Sequence, residues 1–569
     1  MFKLRRFLKH YKKELVLGPF FKLLEAIFEL IVPVVMAKII DNGIGNNDSA
    51  YVWKMSGLIV VLGICGLGFA LTCQFFAAKC AYGFGTELRN ELYKHINRLS
   101  HAEIDKFGTS SLITRVTNDT VLAQNGVNMF IRLAVRAPFL IIGAAVMAMM
   151  LDLKLSIVFL IAAPVITAII VWVMKKTVPM YKRIQKGLDK ISLLTRENLE
   201  GVRVIRAFSK QDEEKKKFNE ESQALAESSI IAGKISAILN PVTFMIMNLG
   251  IVAILWFGGI RVDTGHLTQG EITAFVNYMT QILLAMIVLA NLVVVFTKAA
   301  SSASRINEVF ETQPSIITGK DKTFDLNKPA IEFNNVSFEY PGAGDLSLEN
   351  ITFTLNRGEV LGVIGGTGSG KSTLANLVPR FYDISFGNVR IFGKDIKSYS
   401  LESLRKLIGV VPQQAALFSG TVADNMRWAK PDASEDDIIK ALKIAQAWEF
   451  VSKLPDGIHT HIEQGGKNLS GGQRQRLTIA RALVGNPPVV ILDDSMSALD
   501  YATDLALRKA IESELSDTAV IMISQRATTL QNANEILVLD DGKTAGFGTH
   551  SELLENCQEY LEIYNSQMS

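Results

Sequence analysis

Gly365-Gly366-Thr367-Gly368-Ser369-Gly370-Lys371-Ser372-Thr373 decides how the second half of the chain folds. It fits the pattern G-x-x-x-x-G-K-[ST], follows the apolar, strand-like run Val360–Ile364 and precedes a stretch, Ser372–Val378, that reads as a helix. Strand, glycine loop and helix in that order are the frame a phosphate-gripping loop needs. Glycines let successive backbone N–H groups point inward at phosphate oxygens, where a side chain would block them, and the helix N-terminus adds positive potential. In such a loop Lys371 reaches the β- and γ-phosphates and Ser372 ligates Mg²⁺. A flexible loop without a ligand is the competing reading, and the flanking strand and helix speak against it.

Further along, Val489-Val490-Ile491-Leu492-Asp493 is an apolar run ending in a carboxylate at the sheet edge, where an Asp serves the Mg²⁺ of a phosphate-loop enzyme. Between the two lies Leu469-Ser470-Gly471-Gly472-Gln473, followed by the helical run Arg474–Val484. A serine hydroxyl and glycine amides at a helix N-terminus form a second phosphate grip. A plain helix cap is the bland alternative.

The composition before residue 300 is different. Over the 569 residues, hydrophobic side chains make up 49% and charged ones 20%. That is too apolar for an ordinary soluble enzyme and too charged for a pure membrane bundle, so the chain divides into a membrane half and a soluble half. A net charge of +3 gives no reason to expect a nucleic-acid partner. Six candidate spans precede residue 300: Leu15–Ile40, Met55–Ala78, Ala137–Leu151 with its extension back through Met129–Val135, Leu155–Met174, Ile235–Ile260 and Ile272–Thr297. The connections after the second and fourth, Lys79–Asn128 and Lys175–Lys234, are long, charged and helix-rich, and would project from the bilayer. Lys and Arg are plentiful there and at the N-terminus. The positive-inside rule then puts both termini and the long connections in the cytoplasm.

Three features of this half have two readings each. The basic N-terminal stretch repeats apolar residues at Phe2, Leu4, Phe7, Leu8 and Tyr11, which predicts an amphipathic helix on an anionic membrane face; the alternative is a basic flank that only fixes orientation. Glu25 and Glu29 share one helix face inside the first span. Buried charges usually line a cavity, so they read as a cation-binding or substrate-contacting pair, or else as charges neutralised by Lys22 and by basic residues on neighbouring helices. The four cysteines, Cys65, Cys73, Cys80 and Cys557, form no metal pattern. They read as small buried apolar residues, the first three roughly along one helix side.

With the motifs in this order the chain resembles ATP-binding cassette half-exporters: LSGGQ between the two nucleotide motifs is that family's signature, and a membrane domain preceding the cassette is its arrangement. The resemblance covers nearly the whole chain. It implies an α-helical polytopic membrane domain of six transmembrane helices over 1–313, a linker over 314–329 and an α/β P-loop ATP-binding cassette over 330–569. It also implies ATP and Mg²⁺ as cofactors, the latter on Ser372, Gln413 and Asp493. Ser470, Gly471, Gly472 and Gln473 would contact ATP held by the opposite cassette. Tyr340 looks like the aromatic that stacks on adenine, Gln413 like the glutamine that senses Mg²⁺ and water, and Ser497–Asp500 like the D-loop. Thr460–Asn468 resembles the X-loop, with Glu463 and Gln464 departing from it. Residues 107–119 and 200–208 resemble the two coupling-helix regions.

Two departures qualify the resemblance. Asp494 stands where active members carry the Glu that polarises the attacking water, and its carboxylate is about 1.5 Å shorter in reach, a displacement that can cost about 100-fold. Gln525 stands where a His is usual and cannot carry an imidazolium charge. Together they imply a site that binds ATP and cleaves it slowly, with an intact LSGGQ that completes a partner's site. The arrangement resembles bacterial heterodimeric multidrug exporters and implies a non-identical partner, a bilayer location in the cytoplasmic membrane and hydrophobic small molecules as cargo. The alternatives are a homodimeric lipid or peptide exporter and an ATP-gated regulatory protein with little transport.

Overall fold

The computed structural model describes residues 2–568 and divides the chain into two compact units. The first runs to Asn97 and resumes over Ser110–Glu311; the second takes Arg98–Thr109 and everything from Thr312 on.

The first unit is helical. Five helices are long and apolar enough to cross a membrane among the described residues: Ser49–Ile96, Thr109–Leu151, Ile157–Glu200, Gln211–Asp263 and Gln269–Glu311. They hold the second to sixth spans expected from the sequence, the fourth without its first two residues, Leu155 and Ser156. At about 1.5 Å per residue the shortest is about 65 Å long, twice the hydrocarbon thickness, so each continues well beyond an apolar layer. The helix Lys12–Lys38, which holds the first expected span, is not among the five, because Lys22, Glu25, Glu29 and Lys38 put too much charge in it. It nevertheless packs inside the unit: Ala26 and Leu30 are buried, and the buried Tyr278 hydroxyl donates to the Leu30 carbonyl at 2.7 Å.

The glutamates of that helix are internal counter-charges rather than a cation site. Lys22 Nζ donates to both oxygens of Glu25 at 2.8 and 2.6 Å, and Arg136 Nη2 donates to Glu29 at 2.7 Å. A charge removed from water needs a partner at this range, and here each carboxylate has one. The cysteine reading is corrected at one position. Cys73, Cys80 and Cys557 are buried, but Cys65 is exposed. Eight residues carry a helix about 80° beyond two full turns, which takes Cys65 off the buried face. The N-terminal stretch Phe2–Tyr11 is a 3₁₀-helix, with Leu4 and Phe7 buried against the protein itself and Phe7 beside Phe310 at a ring separation of 5.7 Å. Its apolar face is therefore already covered at those two positions. The side chain of Phe2 lies outside the described residues.

Asp119 is fully buried in this unit, where it accepts hydrogen bonds from Ser302 Oγ at 2.9 Å and Arg305 Nε at 2.8 Å. It locks the helix Thr120–Met129 region to the far end of Gln269–Glu311. Removing Asp119 leaves the buried Ser302 hydroxyl without its acceptor and a half-exposed Arg305 without its counter-charge, at a cost of about 1–3 kcal/mol. Asp119→Ala is expected to lower the thermal midpoint of the purified chain by several degrees, whereas Asp119→Asn, which still accepts from Ser302, loses less. Equal midpoints for the alanine variant and the parent would show that the pair carries no stability.

The second unit holds the two hydrophobic cores of an α/β domain. An antiparallel sheet orders Leu348–Leu355, Ile331–Phe338, Phe386–Ile391 and Lys394–Asp395. A six-stranded sheet orders Lys543–Gly548, Glu535–Asp540, Val360–Gly365, Ala519–Ile523, Val489–Asp493 and Ile408–Val411. In it Val360–Gly365 pairs in parallel with Glu535–Asp540 and Ala519–Ile523, and the latter pairs in parallel with Val489–Asp493. Strands buried on both faces read as near-continuous apolar runs, which is why Val489–Asp493 stood out in the sequence. Parallel alignment also brings the carboxyl ends, Gly365, Asp493 and Ile523, to one edge, where open α/β sheets bind ligands.

The helix His101–Phe107 belongs to this unit. Ser100 caps it with a capping box and accepts from Ile316 N at 3.1 Å; Tyr382 donates to Asp105 at 2.6 Å, and the His101 ring lies 4.5 Å from that of Phe381. Of the expected coupling region 107–119, only residues 107–109 cluster here. The rest joins the first unit, ending in the buried Asp119. The second expected region contains the short helix Val202–Ala207, none of whose residues is buried.

Candidate nucleotide-binding site

The glycine loop leaves the sheet where the strand Val360–Gly365 ends and the helix Lys371–Leu377 begins. Two of its glycines are dictated by space and backbone. A Cβ on Gly365 would lie 2.0 Å from the Leu539 carbonyl oxygen. Gly370 caps the helix in the left-handed conformation, with φ +97°, and a Cβ there would lie 2.7 Å from Ser347 O. Lys371 is 9% exposed and folds over the loop, its ammonium donating to Gly365 O at 2.9 Å and Ser369 Oγ at 3.3 Å.

A cleft of about 490 Å³ opens in front of this loop. Tyr340, Thr367, Gly368, Gly370, Lys371, Ser372, Thr373, Gln413, Asp493, Asp494 and Gln525 line it. Residues far apart in sequence thus share one concavity of the size that takes a small organic ligand. Ser372 Oγ donates to Asp493 Oδ1 at 3.1 Å, and the Tyr340 hydroxyl donates to Thr373 Oγ1 at 3.2 Å. Gln413 Nε2 reaches Asp494 Oδ2 at 3.5 Å. Gly365, Gly366 and Ser369 are not part of the lining; Gly365 and Ser369 are buried and shape the loop from behind, whereas Gly366 is exposed.

Asp494 has a left-handed backbone, φ +44°. Its amide donates to Ile523 O at 3.1 Å, and its carbonyl accepts from Ser497 Oγ at 2.8 Å. Asp is one of the few side chains that tolerates this region, so backbone shape and side-chain length are matched here. The electrostatics are opposed and compact. Burial pushes the Lys371 ammonium's pKa down while Asp494 and Asp493 hold it up. Burial raises the pKa of Asp493, against the Ser372 hydrogen bond, and that of Asp494, against the Gln413 hydrogen bond. One cation faces two carboxylates, a set that gains when a polyanion and a divalent cation enter together. Ser372 and Asp493 offer hydroxyl and carboxylate oxygens, the hard donors Mg²⁺ takes.

Ser470, Gly471, Gly472 and Gln473 do not line this cleft. They start the helix Gly471–Leu483, where Ser470 Oγ accepts from Gln473 N at 3.3 Å and Gln473 Oε1 accepts from Ser470 N at 2.9 Å. The bland reading of this motif, a helix cap, is therefore realised. Ser470 and Gly471 are nonetheless exposed and no atom stands within 4 Å of a Cβ on Gly471, so the helix N-terminus is open to a ligand brought from outside. The sequence reading missed Asp345, Ser347, Asp541 and Gly542 on the cleft wall. The last pair had a signal, an Asp-Gly turn between two strands.

Residues 15–286 match the family of the ABC transporter transmembrane region, and 348–497 match the ABC transporter family. An uncharacterized ABC transporter ATP-binding protein of Bacillus subtilis, YfiB, is 37% identical over 562 residues, covering 99% of this chain and 97% of that one. The ATP-dependent lipid A-core flippase of Haemophilus influenzae is 31% identical over 568 residues, covering 99% and 96%. The solved structure of a bacterial Atm1-family ABC exporter with ATP bound superposes with a TM-score of 0.81 at 22% identity, covering 98% of each chain, which is a likeness of fold. The helical membrane region, the glycine-loop cleft and full-length relatives agree: the chain belongs to the ABC transporter family, as an exporter with its transmembrane and ATP-binding domains fused in one polypeptide.

Proposed function

We propose that this chain is one half of a heterodimeric exporter in the cytoplasmic membrane, that it binds Mg²⁺-ATP in the cleft in front of Lys371, and that its own site cleaves ATP slowly. The observation that carries the reading is Asp494: a short carboxylate in left-handed backbone, 3.5 Å from Gln413, beside an exposed Gln525. In this reading Tyr340 stacks on the base, Lys371 and the loop amides hold the phosphates, and Ser372, Asp493 and Gln413 hold the ion, which neutralises phosphate charge when bound. Asp494 and Gln525 orient water and γ-phosphate poorly. The Ser470–Gln473 helix start, exposed at Ser470 and Gly471, serves a nucleotide held by the partner. The helix Lys12–Lys38 is the sixth span, its charges paired internally, and both termini are cytoplasmic. The cargo is a hydrophobic compound, multiple drugs among them.

The test is ATP turnover by this chain in lipid, alone and together with the half-transporter encoded nearest to it. Binding without appreciable turnover alone, turnover restored by the partner, and its loss when the partner's Glu at the Asp494 position is removed are expected. Rapid turnover by the lone chain overturns the reading. It would favour a homodimeric exporter, and the lipid A-core flippases of Haemophilus and Vibrio, 29–31% identical over 99% of the chain, support a lipid cargo for it.

A further inference from the structure

Gln525 reaches the nucleotide cleft from a segment that nothing inside the cleft anchors. The strand Ala519–Ile523 stops, Ser524 is buried with its hydroxyl accepting from Arg526 N at 3.0 Å, and Gln525 itself is exposed. Ser524 N donates to Val363 O at 3.2 Å before it, and after it Ala527 is buried in the core and Arg508 Nη1 donates to Thr528 O at 3.1 Å; between these anchors one side chain bridges the backbone. Gln567, on the helix Gln558–Met568, donates Nε2 to Gln525 O at 2.7 Å and accepts from Ala527 N at Oε1, at 2.8 Å. The carbonyl of one residue and the amide of the residue two further on are what a neighbouring strand would satisfy, and one carboxamide satisfies both. Of the side chains of that length only glutamine offers a donor and an acceptor in one plane. Glutamate keeps the acceptor and sets a negative charge against the Gln525 carbonyl. Gln567 does not line the cleft, so any effect it has on nucleotide passes through the segment it holds.

We propose that Gln567 is a positioning residue for the ATP site: it fixes the backbone of 525–527 so that the Gln525 side chain faces the cleft, and its loss frees that side chain. The proposal rests on the reading of Gln525 as a γ-phosphate contact. Substitution of a remote positioning group can cost a site as much as loss of the group it positions. Freed of its clamp, the segment is expected to lose the contribution of Gln525 and no more.

The experiment uses the full chain in lipid with radiolabelled Mg²⁺-ATP, and reads the dissociation rate of ATP and its single-turnover cleavage rate. Gln567→Ala and Gln567→Glu are each expected to speed dissociation and slow cleavage by about five- to tenfold, as Gln525→Ala does. Association should change less than about twofold, since the phosphate loop is untouched. The Gln525→Ala/Gln567→Ala double variant is expected to match Gln525→Ala alone, because one residue acts through the other. A merely structural role for the helix would instead lower the melting temperature and add to the effect of Gln525→Ala. Normal rates in Gln567→Ala beside altered rates in Gln525→Ala overturn the clamp and leave the site reading standing, as does an additive double variant. Normal rates in Gln525→Ala overturn the reading of Gln525, and the proposal with it.

Discussion

Lys371→Ala is expected to weaken ATP binding by at least about 100-fold, the largest effect of any single substitution in the chain. Among the described residues its ammonium is the one cation lining the cleft, opposite the carboxylates of Asp493 and Asp494. Without it the cleft presents only acids, Asp345, Asp493, Asp494 and Asp541, to a triphosphate. Charge-assisted hydrogen bonds are worth about 1.5–3 kcal/mol each, and two of them lost to the phosphates correspond to a factor of 100 or more. The fold should survive. The carbonyl of Gly365 and the hydroxyl of Ser369 lose a donor, but the strand Val360–Gly365 and its neighbours pair without it. Lys371→Arg is expected to fail as well: a planar guanidinium needs more room than the ammonium occupies between the loop carbonyls. Equilibrium binding of labelled ATP to the full chain in lipid checks the prediction, with the melting temperature as the folding control. Affinity within threefold of the parent in a folded Lys371→Ala protein would remove this cleft as the nucleotide site.

The sequence carried the cassette more plainly than the membrane half, for a physical reason. A phosphate loop needs glycine where a Cβ has no room, as at Gly365 against Leu539 O, and a lysine at a fixed offset. Those demands are local, so they survive as a motif. The strands around it are buried on both faces, so their apolar runs are unbroken, and their limits were read to within a residue: Val489–Asp493 as it stands, Val360–Ile364 extended by Gly365. What was not legible depended on partners remote in the chain. Asp119 reads as a polar residue of a cytoplasmic connection until Ser302 and Arg305 are placed against it. Glu25 and Glu29 read as a pair because they share a face, yet each is spent on a different cation, Lys22 three residues away and Arg136 on another helix. The N-terminal 3₁₀-helix shows the same limit, since amphipathicity states that a face will be covered and not by what. Gln567 had no signal at all: two hydrogen bonds to backbone leave no trace in residue type at the other end.

Asp494→Glu combined with Gln525→His is expected to raise ATP turnover of the lone chain by about 10- to 100-fold, the largest gain available to it. The added methylene moves the carboxylate about 1.5 Å further into the cleft, and a misplacement of that order is what costs a catalytic group about 100-fold. The histidine supplies a donor that can also carry charge. Opposing this gain is the backbone. Asp494 sits at φ +44°, a region that costs a side chain without Asp's local hydrogen bonding about 1–2 kcal/mol. The site can absorb that cost, because the Asp494 amide and carbonyl are fixed by Ile523 O and Ser497 Oγ, at 3.1 and 2.8 Å, and neither bond involves its side chain. The strain should therefore appear as a slightly lower melting temperature rather than as a rotated loop. The single substitution Asp494→Glu should supply most of the increase, since in the proposed mechanism the carboxylate touches the water and Gln525 only steadies the phosphate. The steady-state rate of phosphate release by the full chain in lipid decides it, with Lys371→Ala added to the double variant to remove any contaminating activity. A rate unchanged by both substitutions, in a protein that still binds ATP, would mean that slow chemistry at this site has another cause, such as a cassette pair that does not close. The proposal of a site slowed by its own residues would then fall, while the assignment of the cleft as the nucleotide site, which rests on Lys371, would stand.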